Sequence, residues 1–338
     1  MSFKNGVYNE HDLKAAKILD GFLPDKIFDA HAHLYDLCFV PSVASGEGAF
    51  TLRRRCEVDD YIEDMKTLLG NREIKLNIIT APDASMSLVN STNRKASVDF
   101  LAEQLTKFDG HVGEVMVGPN DTADDIEGLL THPNIRGFKC YHMLAEKKPT
   151  WNASIDEYLP ESAWEVANKR GLVITLHMVK DDALADPANS EYIVRMAKKY
   201  PNATLILAHA ARSFAAWTAI EAIDTVKSLD NVWFDFSSIC EPSGMFQIIR
   251  KCGIDRCMWG SDYPNSRISG KVISIADSFY WINDKDMERF AGPTEFHSWK
   301  VGTENLMATR QTCLMLDLKE NDIEKLFYNN AARLFGSK

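Results

Sequence analysis

Residues 171–211 read "GLVITLHMVKDDALADPANSEYIVRMAKKYPNATLILAHAA". The two ends, "GLVITLHMV" (171–179) and "ATLILAHAA" (203–211), are nearly continuous apolar runs, the pattern of parallel strands buried on both faces. Between them "SEYIVRMAKKYPN" has the spacing of an amphipathic helix and closes on Pro-Asn, a helix-stop signal. The stretch therefore reads as strand, helix, parallel strand, and each strand ends on a histidine. The same unit recurs along the chain. Further runs are "KIFDAHAH" (26–33), "IKLNIITAP" (74–82), "HVGEVMVGP" (111–119), "IRGFKCYHM" (135–143), "NVWFDFSSI" (231–239) and "RCMWGSDYP" (256–264). Helix-like segments such as "VDDYIEDMKTLLG", "SVDFLAEQLTKFDG" and "ESAWEVANKRG" lie between them. Eight strand–helix repeats predict a (β/α)8 TIM barrel. A doubly wound sheet would want a glycine-rich phosphate loop after the first strand, and neither GxGxxG nor GxxxxGK[ST] occurs.

Long loops are expected after strand 1 (34–56), strand 4 (142–159) and strand 8 (roughly 265–335), all at the end of the barrel where active sites form. Residues 1–25 read as an N-terminal helical extension that plugs the opposite end, and 26–338 as one barrel domain. The chain of 338 residues is 45% hydrophobic with a net charge of −10, which disfavours a nucleic-acid partner. No run approaches the ~20 apolar residues of a membrane span, and the polar N-terminus lacks a signal peptide's apolar segment. The expectation is a cytoplasmic protein with a small-molecule substrate. Its seven cysteines are scattered, with no CxxC pair, and read as reduced thiols.

Four of the nine histidines fall at the C-terminal ends of strands: His31 and His33 on strand 1, His177 on strand 5 and His209 on strand 6. Asp262 ends strand 8. Side chains alternate along a strand, so His31 and His33 share a face, as does Asp29, and His177 joins them if Val173 and Thr175 point inward. Neutral imidazoles with one carboxylate suit a borderline-soft divalent ion, zinc first, with a position left open for water.

HxH after strand 1, histidines after strands 5 and 6, and Asp262 in "GSDYP" (260–264) resemble the amidohydrolase superfamily. The branch it is most similar to is the amidohydrolase 2 group, which includes aminocarboxymuconate-semialdehyde decarboxylase and lactone hydrolases. "GFK" (137–139), "AHAAR" (208–212) and "NNAARLFG" (329–336) add to the resemblance, which covers roughly residues 26–336. It implies His31, His33, His177 and Asp262 as metal ligands and His209 beside the bound water. Asp262 and His209 would be the catalytic groups, Asp262 moving the proton and His209 orienting the water or polarising the substrate. Asp29 would fix a histidine tautomer or make an ordinary barrel-floor hydrogen bond. Lys139 is either a substrate partner beside a single ion or, carboxylated, a bridge to a second one. Glu114 is its carboxylate partner or a further ligand. In similar proteins a homodimer is common.

Arg53, Arg54 and Arg55 form a basic knot in the first loop. Arg53 could grip an anionic substrate through its bidentate fork or pair with the acids of "CEVDDYIEDM" that follow. Arg212, three residues after His209, is the better placed for substrate. Tyr141, His142 and Trp151 after strand 4, and His297 and Trp299 in the last stretch, matter for function only if those loops cover the mouth. The function expected is a metal-dependent hydrolase of a C–N or C–O bond in an amide, ester or lactone. The alternative is a metal-dependent non-oxidative decarboxylase, and a third reading is a silent metal-binding barrel.

Overall fold

The computed structural model describes residues 6–44, 52–283, 286 and 297–336. The apolar runs form eight parallel strands: β1 (Lys26–Asp36), β2 (Glu73–Thr80), β3 (Val112–Met116), β4 (Ile135–Tyr141), β5 (Val173–His177), β6 (Thr204–Leu207), β7 (Val232–Asp235) and β8 (Cys257–Met258). Each is hydrogen-bonded to the next in chain order. The short strand Arg55–Cys56 adds antiparallel to the upper end of β1.

β8 is brief as a regular strand, but the chain beyond it closes the sheet onto β1. Ala30 N donates to Trp259 O at 3.1 Å, Asp262 N to His31 O at 2.8 Å and His33 N to Tyr263 O at 2.7 Å. Gly260 makes this approach possible, because a Cβ there would lie 2.8 Å from His31 Cβ. The result is a barrel of the TIM type, with helices covering its outer face.

Those helices are α1 (Glu10–Asp20), α2 (Val58–Leu69), α3 (Thr92–Lys107), α4 (Ala123–Leu129), α5 (Glu161–Arg170), α6 (Pro187–Lys199), α7 (Trp217–Val226), α8 (Pro242–Cys252) and α9 (Val301–Met315). α2 buries Val58, Tyr61, Met65, Leu68 and Leu69, a single helical face at three- and four-residue spacing. α6 starts earlier than its periodicity suggested, because Asp186 caps it and Pro187 occupies the first turn, where a missing N–H costs nothing. After β4 the chain makes three short 3-10 turns, His142–Leu144, Thr150–Asn152 and Ile155–Glu157. After β8 it forms a hairpin of β9 (Gly270–Ile275) and β10 (Ser278–Asn283). Part of the loop after β1 and residues 287–296 fall outside the described residues.

The barrel interior is stacked in layers. At the bottom lie Phe28, Ala30, Val112, Val173, Ile206, Trp233 and Met258, closed by Ala331 and Phe335 of the C-terminal helix Asn330–Phe335. That helix is the plug. The expectation that the N-terminal helix would fill this role is corrected: α1 packs against α2 and α9, and its Asp12 carboxylate accepts from Lys300 N and Thr303 Oγ1, both at 2.8 Å. An acid at the start of a long helix satisfies orphan N–H groups, so the N-terminal segment serves as the cap of α9.

Above the apolar floor comes a buried polar layer of Asn77, Glu114, Lys139, Thr175 and Asp235, and above that the histidines. β1 reaches this level through a bulge between Asp29 and Ala32. Before it, Phe28 and Ala30 face inward and Asp29 outward; after it, His31 and His33 face inward. Asp29 therefore does not share the histidines' face. Its carboxylate accepts from Tyr61 Oη of α2 at 2.7 Å and from the backbone N–H groups of His31 and Ser261 at 3.0 and 2.9 Å. It pins the bulge, the purpose such irregularities often serve beside a site.

Candidate metal centre

The mouth of the barrel draws on the ends of β1, β5, β6 and β8. β1 supplies His31 and His33, β5 supplies His177, and the segment after β8 supplies Asp262. After β6 the chain makes a left-handed turn, with φ of 56°, 53°, 58° and 59° at His209, Ala210, Ala211 and Arg212. Each L-residue in that conformation costs about 1–2 kcal/mol. The turn is held by His209 N donating to Asp235 Oδ1 at 3.2 Å and by Ser213 N donating to His209 O at 3.0 Å. Ser238 and Asp262 also have positive φ, 57° and 52°. Strain collected at one end of a barrel marks side chains held against local preference.

The ring nitrogens converge. His31 Nε2 lies 3.2 Å from His33 Nε2, and Asp262 Oδ1 lies 3.5 Å from His33 Nε2 and 3.8 Å from His31 Nε2. Across the mouth, His209 Nε2 lies 3.1 Å from His177 Nδ1. The His31 and His209 rings are 5.1 Å apart and join the two pairs. His31, His33 and Asp262 form one group of donors able to share an ion, and His31, His209 and Asp235 form another. His177 belongs to neither group and meets the cluster through His209.

Asp235 is the residue that sequence reading missed. Its Oδ2 lies 3.1 Å from His31 Nδ1, while Oδ1 accepts from Ser237 Oγ, from Ser237 N at 3.1 Å and from His209 N at 3.2 Å. A carboxylate only accepts, so His31 carries its proton on Nδ1 and turns the Nε2 lone pair inward. His209 Nδ1 likewise faces the Ser237 carbonyl at 3.1 Å, which sets the same tautomer. With its acceptors engaged, Asp235 orients the His31 imidazole and anchors the backbone that carries His209, a role that ligating histidines commonly require of a carboxylate. The signal was present: in "NVWFDFSSI" a lone acid ends an apolar strand, as the histidines do.

The electrostatics suit a cation. Burial, with the Lys139 charge second, pushes the His31 imidazole down to about 3. Burial also lowers His177 well below its ordinary value and lowers His209, so the rings stay neutral. Burial alone would raise Asp262, but the hydrogen bond from His33 holds it well below the usual carboxylate range. Its other oxygen accepts from Ser238 Oγ at 2.6 Å and Asn265 Nδ2 at 3.1 Å. Ionised carboxylates beside neutral imidazole lone pairs form a donor set that fits a divalent metal.

Lys139 is fully buried, and its Nζ lies 3.3 Å from His31 Nε2. Glu114 makes no ion pair with it. Instead Glu114 Oε1 accepts from Asn77 Nδ2 at 2.7 Å and Thr175 Oγ1 at 2.8 Å, and burial raises its carboxyl to about 7.

Above the donors opens a cavity of about 400 Å³, lined by His33, His177, His209, Asp262 and Arg212, and by several aromatic rings. Tyr141 and Trp151 of the loop after β4 reach it. His142 sits behind them, its ring tilted against Trp151 with centroids 4.3 Å apart and its Nδ1 on Thr150 Oγ1 at 3.0 Å. His297 stacks on His11 at 3.8 Å, and the Trp299 carbonyl accepts from Gly270 N.

Arg53 is not at the mouth. Its guanidinium pairs with Asp60, Glu63 and Asp64 at 2.8, 3.0 and 2.9 Å, so the substrate-binding expectation is corrected in favour of the pairing with the acids that follow it.

The amidohydrolase family model matches residues 28–337. An L-fucono-1,5-lactonase of Burkholderia ambifaria is 23% identical over 282 residues, 78% of this chain and 89% of that one. Among solved structures, 2,6-dihydroxybenzoate decarboxylase in complex with 2,6-dihydroxybenzoate superposes with a TM-score of 0.60 at 13% identity, covering 92% of this chain and 99% of that one. An amidohydrolase of Burkholderia multivorans with bound zinc superposes with a TM-score of 0.55 at 14% identity, covering 92% and 99%. The barrel is shared with both structures, and the family match spans almost the whole of it: the chain belongs to the amidohydrolase family.

Proposed function

We propose that this protein is a metal-dependent hydrolase that opens the acyl C–O bond of a small anionic lactone or ester, working with one divalent ion, zinc first. The observation that carries this reading is the convergence of His31 Nε2, His33 Nε2 and Asp262 Oδ1 beneath an open cavity. These three would hold the ion, with His177 as a further ligand. The lactonase relative supports the choice of bond, and the zinc-bound amidohydrolase supports the choice of metal. When bound, such an ion supplies a Lewis acid that polarises a carbonyl and acidifies water.

The chain's own groups place the water and move its proton. His209, protonated on Nδ1, offers its Nε2 lone pair to the attacking water and orients it. Asp262, anchored through Oδ2 by Ser238 and Asn265, takes the water's proton on Oδ1. It returns that proton to the ring oxygen as the C–O bond breaks, so one water is consumed and a hydroxy acid leaves. Arg212 on the cavity wall holds the substrate's negative charge, and Lys139, buried beneath the imidazoles with Nζ 3.3 Å from His31 Nε2, stays an amine. Carboxylation of Lys139 would instead make it the bridge of a two-ion site, which two metal equivalents per chain would reveal. The reading places the enzyme in the cytoplasm, where its free cysteines stay reduced.

A panel of sugar and aromatic lactones, esters, amides and aromatic carboxylates, followed for both acid and carbon dioxide, tests this reading. Acid release from a lactone or ester without carbon dioxide is expected, and it should vanish in His33→Ala. Carbon dioxide from a carboxylate, with the lactones and esters untouched, would make the protein a decarboxylase.

A further inference from the structure

Resting on the reading of the mouth as a substrate site, we infer that the hairpin β9–β10 is a specificity element. Its Phe279 and Trp281 stack on the flat face of a ring-bearing carboxylate whose charge is taken by Arg212.

The rings form a wall. Phe279 lies 4.8 Å from Phe214 and Trp281 lies 5.9 Å from it, centroid to centroid. Tyr141 and Trp151 line the same cavity, and its volume of about 400 Å³ suits one substituted ring. Trp281 keeps 37% of its surface exposed, so the chain itself leaves an aromatic face uncovered. Aromatic faces gain most from another flat ring.

The wall is held in place before any ligand arrives. Gly270 N donates to Trp299 O at 2.9 Å, Ser274 Oγ to Glu241 Oε2 at 2.5 Å, and Trp217 Nε1 to Asp277 O at 2.7 Å. Gly270 has φ +148°, and a Cβ there would lie 2.1 Å from Ile282 O, so only glycine lets the hairpin's base close. Rings fixed in advance lose little entropy on binding.

Arg212 supplies the second half of the recognition. It is 8% exposed, donates through Nη1 to Lys180 O at 2.6 Å and lies 5.0 Å over the Phe279 ring. Among the described residues no carboxylate pairs with it. A buried guanidinium with donors to spare is costly until an anion meets it. Because Phe279 packs against Arg212, the ring and the charge of one ligand are read side by side. Acetate can use only the charge, and a neutral ring only the stack.

Calorimetric titration of the full-length protein as purified, with benzoate, acetate and benzamide, tests this. Benzoate has no bond for a hydrolase to cut, so the titration reads the clamp even if the proposed activity proves wrong. The wild type should bind benzoate at least about tenfold tighter than acetate. Phe279→Ala and Trp281→Ala should each weaken benzoate roughly three- to tenfold while leaving acetate within about twofold. Trp281→Phe, which keeps a ring, should restore most of the loss and thereby exclude misfolding as its cause. Arg212→Gln should weaken benzoate and acetate by the same factor and leave benzamide unchanged. The inference is overturned if benzoate binds no tighter than acetate, or if the benzoate-to-acetate ratio survives loss of both hairpin rings.

Discussion

Asp235 accepts from His31 with one oxygen and from Ser237 and the His209 backbone with the other, so its part in the site is to aim the His31 imidazole and to fix the turn that carries His209. Asp235→Asn should therefore weaken zinc binding by about 10- to 100-fold, measured by competition with a chromophoric chelator. Unchanged affinity would remove the orienting role. Asp262 differs in facing the donors with one oxygen and its supports with the other. Asp262→Asn, loaded at saturating zinc, should lower kcat by about 10²–10⁴-fold, and a kcat near wild type would take the proton transfer away from it. At this scale the histidines and Asp262 were legible because ionisable residues at the ends of apolar strands have no packing reason to be there. Asp235 carried the same mark and was overlooked among the aromatic residues of its run. Arg53 was ambiguous because its acids lie within the same stretch of sequence, and geometry gave it to them.

Elements decide which way those residues point. Alternation along β5 places Val173, Thr175 and His177 on the inner face, as the sequence pattern implied. On β1 the same rule fails for Asp29, because the bulge depends on Ser261 and on Tyr61 of a distant helix, partners that no local pattern reveals. The left-handed turn at His209–Arg212 was equally hidden, since alanines favour the opposite hand and the Asp235 carboxylate that anchors His209 N comes from a separate strand. The lower end of the barrel gives a separate test, away from the candidate metal centre. His111 Nδ1 accepts from Leu76 N of β2 at 3.0 Å, and burial, with the Lys75 charge second, pushes the imidazole from 6.5 down to about 4. Between those values the unfolded chain holds a proton that the folded one refuses. Stability from this group is thus complete above pH 6.5 and is lost as pH falls toward 4. Urea unfolding should show about 2 kcal/mol less of this loss between pH 7.5 and pH 5 in His111→Gln, whose amide oxygen can still accept, than in the wild type. Equal losses would refute it.

For the whole molecule, strand–helix alternation was enough to foresee the barrel, because each unit must bury its strand between neighbours and beneath a helix. Which terminus plugs it was not foreseeable: both ends of the chain are helical, and the choice turns on Phe335 meeting Phe28, with ring centroids 5.7 Å apart, while Asp12 is drawn to the start of α9. The closed barrel has an apolar floor, a buried polar layer and a ring of imidazoles, and this stacking leaves ionised acids buried beside imidazole lone pairs. A cation resolves that arrangement, so stripping the protein with a chelator should lower its melting temperature and zinc should restore it. The most direct test is anomalous diffraction at the zinc edge from crystals of the zinc-loaded protein. The account predicts a peak within bonding distance of His31 Nε2, His33 Nε2 and Asp262 Oδ1. A zinc peak elsewhere, with those three side chains unliganded, would contradict it.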